Sequence, residues 1–159
     1  MILEQIALGL IKPVLGKAGK KVFDYFMSTP LDDVKARAEN GDAEAQFYLG
    51  ILYYEGEEVT KNYSEALKWI RRAAEENEHP EAQNFLALMY NEGIGTSQNK
   101  SEAVRWYRKA AEQGDADAQF SMGTMYENGY GVKKDKVEAI KWYIKAAEQG
   151  YEPAQEKLC

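Results

Sequence analysis

The residue types that carry most enzyme chemistry are scarce in this chain. Histidine occurs once, at His79, and cysteine once, at Cys159. Ser–His–Asp relays, Cys–His pairs and HExxH zinc motifs each need a histidine in a defined setting, and His79, beside Pro80, sits in none of them. One thiol excludes an intramolecular disulfide and a multi-cysteine zinc site, and Cys159 has no histidine neighbour to activate it. No GxxxxGK[ST] phosphate loop occurs. Gly93-Ile94-Gly95 and Gly129-Tyr130-Gly131 are isolated GxG turns that follow helical segments, not strands, which argues against dinucleotide binding. Carboxylates are abundant, but no pair is singled out for opposed acid and base roles. The expectation is a protein without catalysis, cofactor or metal, in which His79 is an exposed junction residue.

Composition narrows the class further. The 159 residues suit one domain, 45% of them are hydrophobic, and 26 acids against 20 bases leave a net charge of −6. A nucleic-acid backbone calls for a basic footprint, so nucleic acid is not an expected partner.

The elements that position any site come from an internal repeat. Ala-Gln recurs at 45-46, 82-83, 118-119 and 154-155, at spacings of 37, 36 and 36. Trp69, Trp106 and Trp142 keep the same register, as do Tyr53, Tyr90 and Tyr126, and Gly56, Gly93 and Gly129. Each period reads as two helices. Helix A covers about 43–55, 80–92 and 116–128 and ends at a glycine suited to a left-handed cap. Helix B covers about 62–76, 99–113 and 135–149 and starts after Asn62, Asn99 and Asp135, all good N-caps. Recurring small residues allow close backbone approach, and the in-phase Trp and Tyr side chains fill the core. Such pairs bury their faces only by stacking on neighbours.

The block Trp106-Tyr107-Arg108-Lys109-Ala110-Ala111-Glu112-Gln113-Gly114-Asp115-Ala116-Asp117-Ala118-Gln119 resembles the Sel1-like repeat, a relative of the tetratricopeptide repeat. Trp142 to Gly150 restates it, and Gly129-Tyr130-Gly131-Val132 matches the longer interhelical loop. The resemblance covers residues 38–158. It implies an all-α, right-handed α/α superhelix and a protein-binding adaptor or scaffold. It also implies two alternatives: an immunity protein that neutralises a bacterial toxin, and a penicillin-binding enzyme, the latter disfavoured by the missing cysteine pairs. Two positions depart from the pattern. Glu58 stands where Gly95 and Gly131 stand, and Glu78 where Gly41 and Gly114 stand, which should alter the loop and the junction.

The resulting division is 1–29, an amphipathic or capping segment; 30–42, a degenerate repeat-zero helix begun by Ser28-Thr29-Pro30; repeats at 43–79, 80–115 and 116–151; and 152–159, a truncated capping helix in which Leu158 covers the last pair. Before the repeats, Lys12, Lys17, Lys20 and Lys21 outnumber Glu4 and Asp24, and the lysines after Pro13 lie opposite an apolar helical face. This segment is a candidate membrane or partner contact, with capping as the simpler role. It has neither the basic start of a signal peptide nor the length of a spanning helix, so the expected location is cytoplasmic or peripheral to the inner membrane.

Residues of helix A that vary between repeats form the candidate binding stripe at i, i+4, i+7 and i+11. They are Glu44, Tyr48, Ile51 and Glu55; Glu81, Phe85, Leu88 and Glu92; and Asp117, Ser121, Thr124 and Asn128. Two expectations stand for this stripe: an open apolar patch of Tyr48, Ile51, Phe85 and Leu88 rimmed by glutamates, facing a basic or amphipathic protein partner, or a stripe buried by a tight superhelix or by the N-terminal segment folded back into the groove.

Overall fold

The computed structural model describes Asp24 and residues 26–159. Among these residues the regular structure is helical throughout: α1 (Leu31–Glu39), α2 (Ala43–Glu55), α3 (Tyr63–Glu76), α4 (Pro80–Glu92), α5 (Lys100–Glu112), α6 (Ala116–Asn128), α7 (Lys136–Glu148) and α8 (Glu152–Leu158). Each helix packs on its neighbours in sequence, within a repeat (α2 on α3, α4 on α5, α6 on α7) and between repeats (α3 on α4, α5 on α6). This is the right-handed α/α solenoid expected from the repeat.

Local chemistry sets the helix ends. The side chains of Asp42, Asn62, Asn99, Asp115 and Asp135 each accept a hydrogen bond from a backbone amide of the first turn that follows. His79 does the same for α4: its Nδ1 accepts from the Ala82 amide at 3.3 Å. Its ring also packs on Phe47, with centroids 5.3 Å apart. His79 is therefore a half-buried cap, not the exposed junction residue expected. At α1 neither hydroxyl of the Ser28-Thr29-Pro30 start caps the helix: Pro30 itself is the N-cap, with no side-chain bond.

Glycines end the A helices, and at the two departures glutamate adopts the glycine geometry. Gly95 and Gly131 have φ of 69° and 68°, and Glu58 reaches 56° in the equivalent place. Gly41 and Gly114 lie at 93° and 99°, and Glu78 lies at 49°. The loop and the junction thus keep the handedness of their counterparts, at the cost of crowding a side chain against its own backbone.

The Ala-Gln pair explains why the repeats stay in register. Gln46, Gln83, Gln119 and Gln155 donate from Nε2 to the carbonyls of Ala38, Ala74, Ala111 and Ala147, the last turn of the preceding helix. Gln46, Gln83 and Gln119 also accept, through Oε1, from Asn77, Gln113 and Gln149 at the end of the helix that follows. One amide thus bonds a helix-end carbonyl and ties three consecutive helices; the carbonyls of Ala38, Ala111 and Ala147 also accept from the amides of Gly41, Gly114 and Gly150, whereas that of Ala74 has no backbone donor. The alanine beside it is fully buried in every repeat.

The tryptophans are buried, as expected, and their exposed edges are covered by the cations of their own helix. Lys68 and Arg72 lie over Trp69 at 4.9 and 5.1 Å, Arg105 and Lys109 over Trp106 at 5.3 and 4.6 Å, and Lys145 over Trp142 at 4.5 Å. Tyr90 and Tyr126 are half-buried; Arg71 and Arg108 of the preceding repeat donate to their hydroxyls at 2.7 and 2.8 Å. At the end of the stack, Ala154 of α8 is buried but Leu158 is exposed, so Leu158 does not cover the last pair as expected.

Candidate partner-binding face

The stripe residues lie on α2, α4 and α6, as the register requires, but the open apolar patch does not exist. Tyr48, Ile51 and Phe85 are only 4%, 1% and 1% exposed. Tyr48 stacks on Phe26 with centroids 5.3 Å apart. Phe85 meets Tyr54 edge-on at 5.1 Å and Phe47 at 6.3 Å. Adjacent A helices are close enough for these rings to interlock across the repeat boundary, so the aromatic positions belong to the core. Leu88 is half-buried and packs on the same core.

In the third repeat the stripe is polar and internally satisfied. The Thr124 hydroxyl donates to the Phe120 carbonyl at 3.2 Å, and Asn128 donates to the Thr124 carbonyl at 2.9 Å. Ser121 is half-buried.

The acidic residues remain available to a partner. Glu44 and Glu92 are exposed, and Glu55, Glu81 and Asp117 are half-buried. Among the described residues Glu44, Glu55, Glu92 and Asp117 have no lysine or arginine within ion-pair distance. Helix B is different: Glu65, Glu75, Glu76, Glu102 and Glu138 are each matched by Lys68, Arg71, Arg72, Arg105 and Lys141 one turn away, at 3.1–3.7 Å. Among the described residues Glu81 has only His79 within ion-pair distance, 3.2 Å away. Burial pushes the His79 pKa down against the pull of Glu81, Glu44 and Asp42, so the ring is neutral at neutral pH. Its Nδ1 already accepts from the Ala82 amide and has no proton to offer the carboxylate.

These acids feel one another from repeat to repeat. Burial, chiefly, pushes the Asp115 carboxyl up to about 7, and the charges of Asp117 and Glu81 push the same way. Burial also raises Asp117, with Glu81 adding to it and the Tyr151 hydroxyl opposing. Burial raises Glu55, partly offset by Lys61. The result is a row of carboxylates on successive A helices, some exposed and some half-buried, that form no ion pair with a lysine or arginine among the described residues. First-turn acids complement the helix dipole, which holds each one locally.

Sequence reasoning found the acids and missed their setting. Asp115 and His79 occupy the Asp42 position before the first turn, which was a readable sign that they cap helices and sit at the repeat junction. Lys12, Lys17, Lys20 and Lys21 lie outside the described residues. Among the described residues no helix is long and apolar enough to cross a membrane, and no group of three His, Cys, Asp or Glu side chains is placed to hold a metal ion.

Comparison with known proteins agrees with this architecture. The family model described as Sel1 repeat matches residues 43–78, 80–115 and 116–151. A solved Sel1 repeat protein from Oxalobacter formigenes is 43% identical, with a TM-score of 0.75, over 80% of this chain and 96% of that one. The Helicobacter pylori cysteine rich protein B shares the fold at 22% identity and a TM-score of 0.63, over 81% of this chain and 97% of that one. The secretory immunoglobulin A-binding protein EsiB of Escherichia coli O6:H1 is 46% identical over 43 residues, which are 27% of this chain and 9% of that protein. The chain thus aligns with less than a tenth of that curated relative's length.

Proposed function

Because the chain belongs to the Sel1 repeat family, whose members generally mediate protein–protein interaction, we propose that it is a non-catalytic adaptor that holds a basic, amphipathic segment of a partner against α2, α4 and α6. The observation that carries this reading is the charge contrast between the two sets of helices. Glu65, Glu75, Glu76, Glu102 and Glu138 of the B helices pair with lysines and arginines of their own helix, whereas among the described residues Glu44, Glu55, Glu92 and Asp117 of the A helices form no such pair, Glu127 with Lys157 being the exception there. A cationic segment would supply the missing counter-charges, and half-buried carboxylates interact more strongly with such a segment than fully solvated ones. Recognition is therefore electrostatic, with Leu88 the one half-buried apolar contact in place of the aromatic centre the sequence implied. EsiB, named for a protein it binds, is consistent with this class of function and does not identify the partner here.

Fluorescence anisotropy with a labelled Lys/Leu amphipathic peptide, and an acidic peptide of the same pattern, tests the reading. The basic peptide should bind, lose affinity as salt rises, and bind about tenfold more weakly to a Glu44→Gln/Glu55→Gln/Glu92→Gln variant. Equal affinity for both peptides, or for both proteins, would refute it. Affinity capture then separates the biological settings. A constitutive host partner supports an adaptor, and rescue of growth from a co-expressed toxin supports the immunity alternative. Sedimentation with anionic vesicles, abolished by reversing Lys12, Lys17, Lys20 and Lys21, supports a peripheral membrane adaptor.

A further inference from the structure

The imidazole of His79 stands between two groups that make opposite demands on one nitrogen. Its Nδ1 is 3.3 Å from the Ala82 amide, which can only donate, and 3.2 Å from a carboxylate oxygen of Glu81, which as an anion can only accept. Without a proton, Nδ1 satisfies the amide and offers the carboxylate nothing. With a proton, it donates to Glu81 and leaves the amide without its acceptor. The two side chains are 11% and 15% exposed, so little water is at hand to replace the bond that is lost. The other A helices start differently. Asp42 and Asp115 cap α2 and α6 with carboxyl oxygens, which accept in either protonation state, and Tyr151 makes no side-chain cap.

The joint that His79 closes is also the least braced. At the other joints both residues before helix A donate their backbone amides to the preceding helix: Gly41 and Asp42 to Ala38 and Arg37, Gly114 and Asp115 to Ala111 and Ala110, Gly150 and Tyr151 to Ala147 and Ala146. Between α3 and α4 His79 alone does so among the described residues, to Ala73, and Glu78 beside it holds φ at 49°. Burial holds the ring's pKa below its ordinary value, against the pull of Glu81 on its own helix and of Glu44 and Asp42 at the start of α2. On the other helices packed near it the charges are engaged elsewhere. Glu75 and Glu76 of α3 pair with Arg71 and Arg72, Lys109 of α5 lies over Trp106, and Asp115 at the start of α6 caps its own helix while it and Asp117 interact with Glu81. We propose that His79 is an acid-operated latch between the first two repeats: on taking up a proton its Nδ1 exchanges the Ala82 amide for the Glu81 carboxylate, the N-cap of α4 is lost, and the joint between α3 and α4 loosens. Because the folded ring resists the proton more than the unfolded chain does, stability is complete above the unfolded pKa and declines as pH falls through it. Any ligand that spans α2 and α4 feels the change, so the latch does not depend on which partner this face takes.

His79 is the one histidine of the chain, so its imidazole gives a single set of NMR signals to follow in the full protein. At neutral pH the ring nitrogen shifts should show the Nε2–H tautomer, with Nδ1 bare. On acidification the ring should titrate below the ordinary imidazole value, and the Ala82 amide should shift with the same midpoint. The protection of that amide against hydrogen exchange should fall about fivefold as the ring gains its proton, the worth of one N-cap. His79→Asn keeps a capping side chain that takes up no proton, and should abolish the fall. Glu81→Gln should lower the midpoint of the ring by removing the charge that draws the proton. The wild-type titration needs no substitution, so it decides even where a variant loses helical content. An Nδ1–H tautomer at neutral pH, a midpoint at or above the ordinary value, a ring that stays neutral until the chain unfolds, or an Ala82 amide indifferent to the ring would overturn the proposal.

Discussion

Replacing Gln83 by leucine should show how much the amide ladder contributes. The side chain is 2% exposed, donates to the Ala74 carbonyl at 3.2 Å and accepts from Gln113 at 2.7 Å. No backbone amide donates to that carbonyl, so the substitution leaves a helix-end acceptor unsatisfied in the core. This costs about 1–3 kcal/mol, and the lost bond to the exposed Gln113 about 0.5–1.5 kcal/mol more, because water can replace it there. Leucine recovers part through apolar burial, which leaves a loss of about 2–3 kcal/mol. For a chain of this size that corresponds to a fall in Tm of roughly 5–10 °C. Gln155→Leu is the comparator, since Gln155 is exposed and makes one such bond, to Ala147; its cost should be near 0.5 kcal/mol. Thermal unfolding by circular dichroism measures both, and hydrogen exchange should place the extra opening at the junction of α3 and α4. Losses within about 0.5 kcal/mol of each other would refute the ladder as a determinant of register.

Three further outcomes follow from the geometry. Glu78→Gly should stabilise the chain by about 0.5–1 kcal/mol in denaturant titration, because the residue holds φ at 49° and glycine relieves the crowding. Gly123→Ala should destabilise by about 1–3 kcal/mol, since the added Cβ would overlap the Tyr143 ring. Asp115→Asn keeps a good N-cap while removing a carboxyl whose folded pKa stands at about 7, above its unfolded value. The folded wild type takes up a proton across that interval, so the penalty of ionised Asp115 is fully present above the folded pKa and fades as pH falls. The variant should therefore melt higher than wild type at pH 8, and the two should converge towards pH 4.

The repeat made the fold legible because one pattern, stated three times, cancels the noise of any single helix. Helix limits, caps and the burial of Trp69, Trp106 and Trp142 all come from in-phase residues. The variable positions behave differently. Tyr48 and Phe85 look free to bind because they do not recur, but the space between adjacent A helices closes around aromatic rings, and Tyr54 and Phe47 fill it from positions equally variable in sequence. Sequence spacing gives the side of a helix on which a residue lies, and the distance to the next helix decides whether that side meets water. The acids were legible as types, and their lack of counter-ions was not, because it depends on where the cations go: over the tryptophans and along the B helices.

The glutamine joints also bear on how a chain like this changes length. The joints at Gln83 and Gln119 are built from the same side chains, with Gln113 and Gln149 completing them. A block of 36 residues could be lost or duplicated there with each new boundary still closing on an alanine, a carbonyl and two amides. The residues left to vary are then those that face outward, so repeat number and surface specificity can be altered separately. The first boundary, with Asn77 and the extra residue before Pro80, is not interchangeable with the others and marks where such an array would resist recombination.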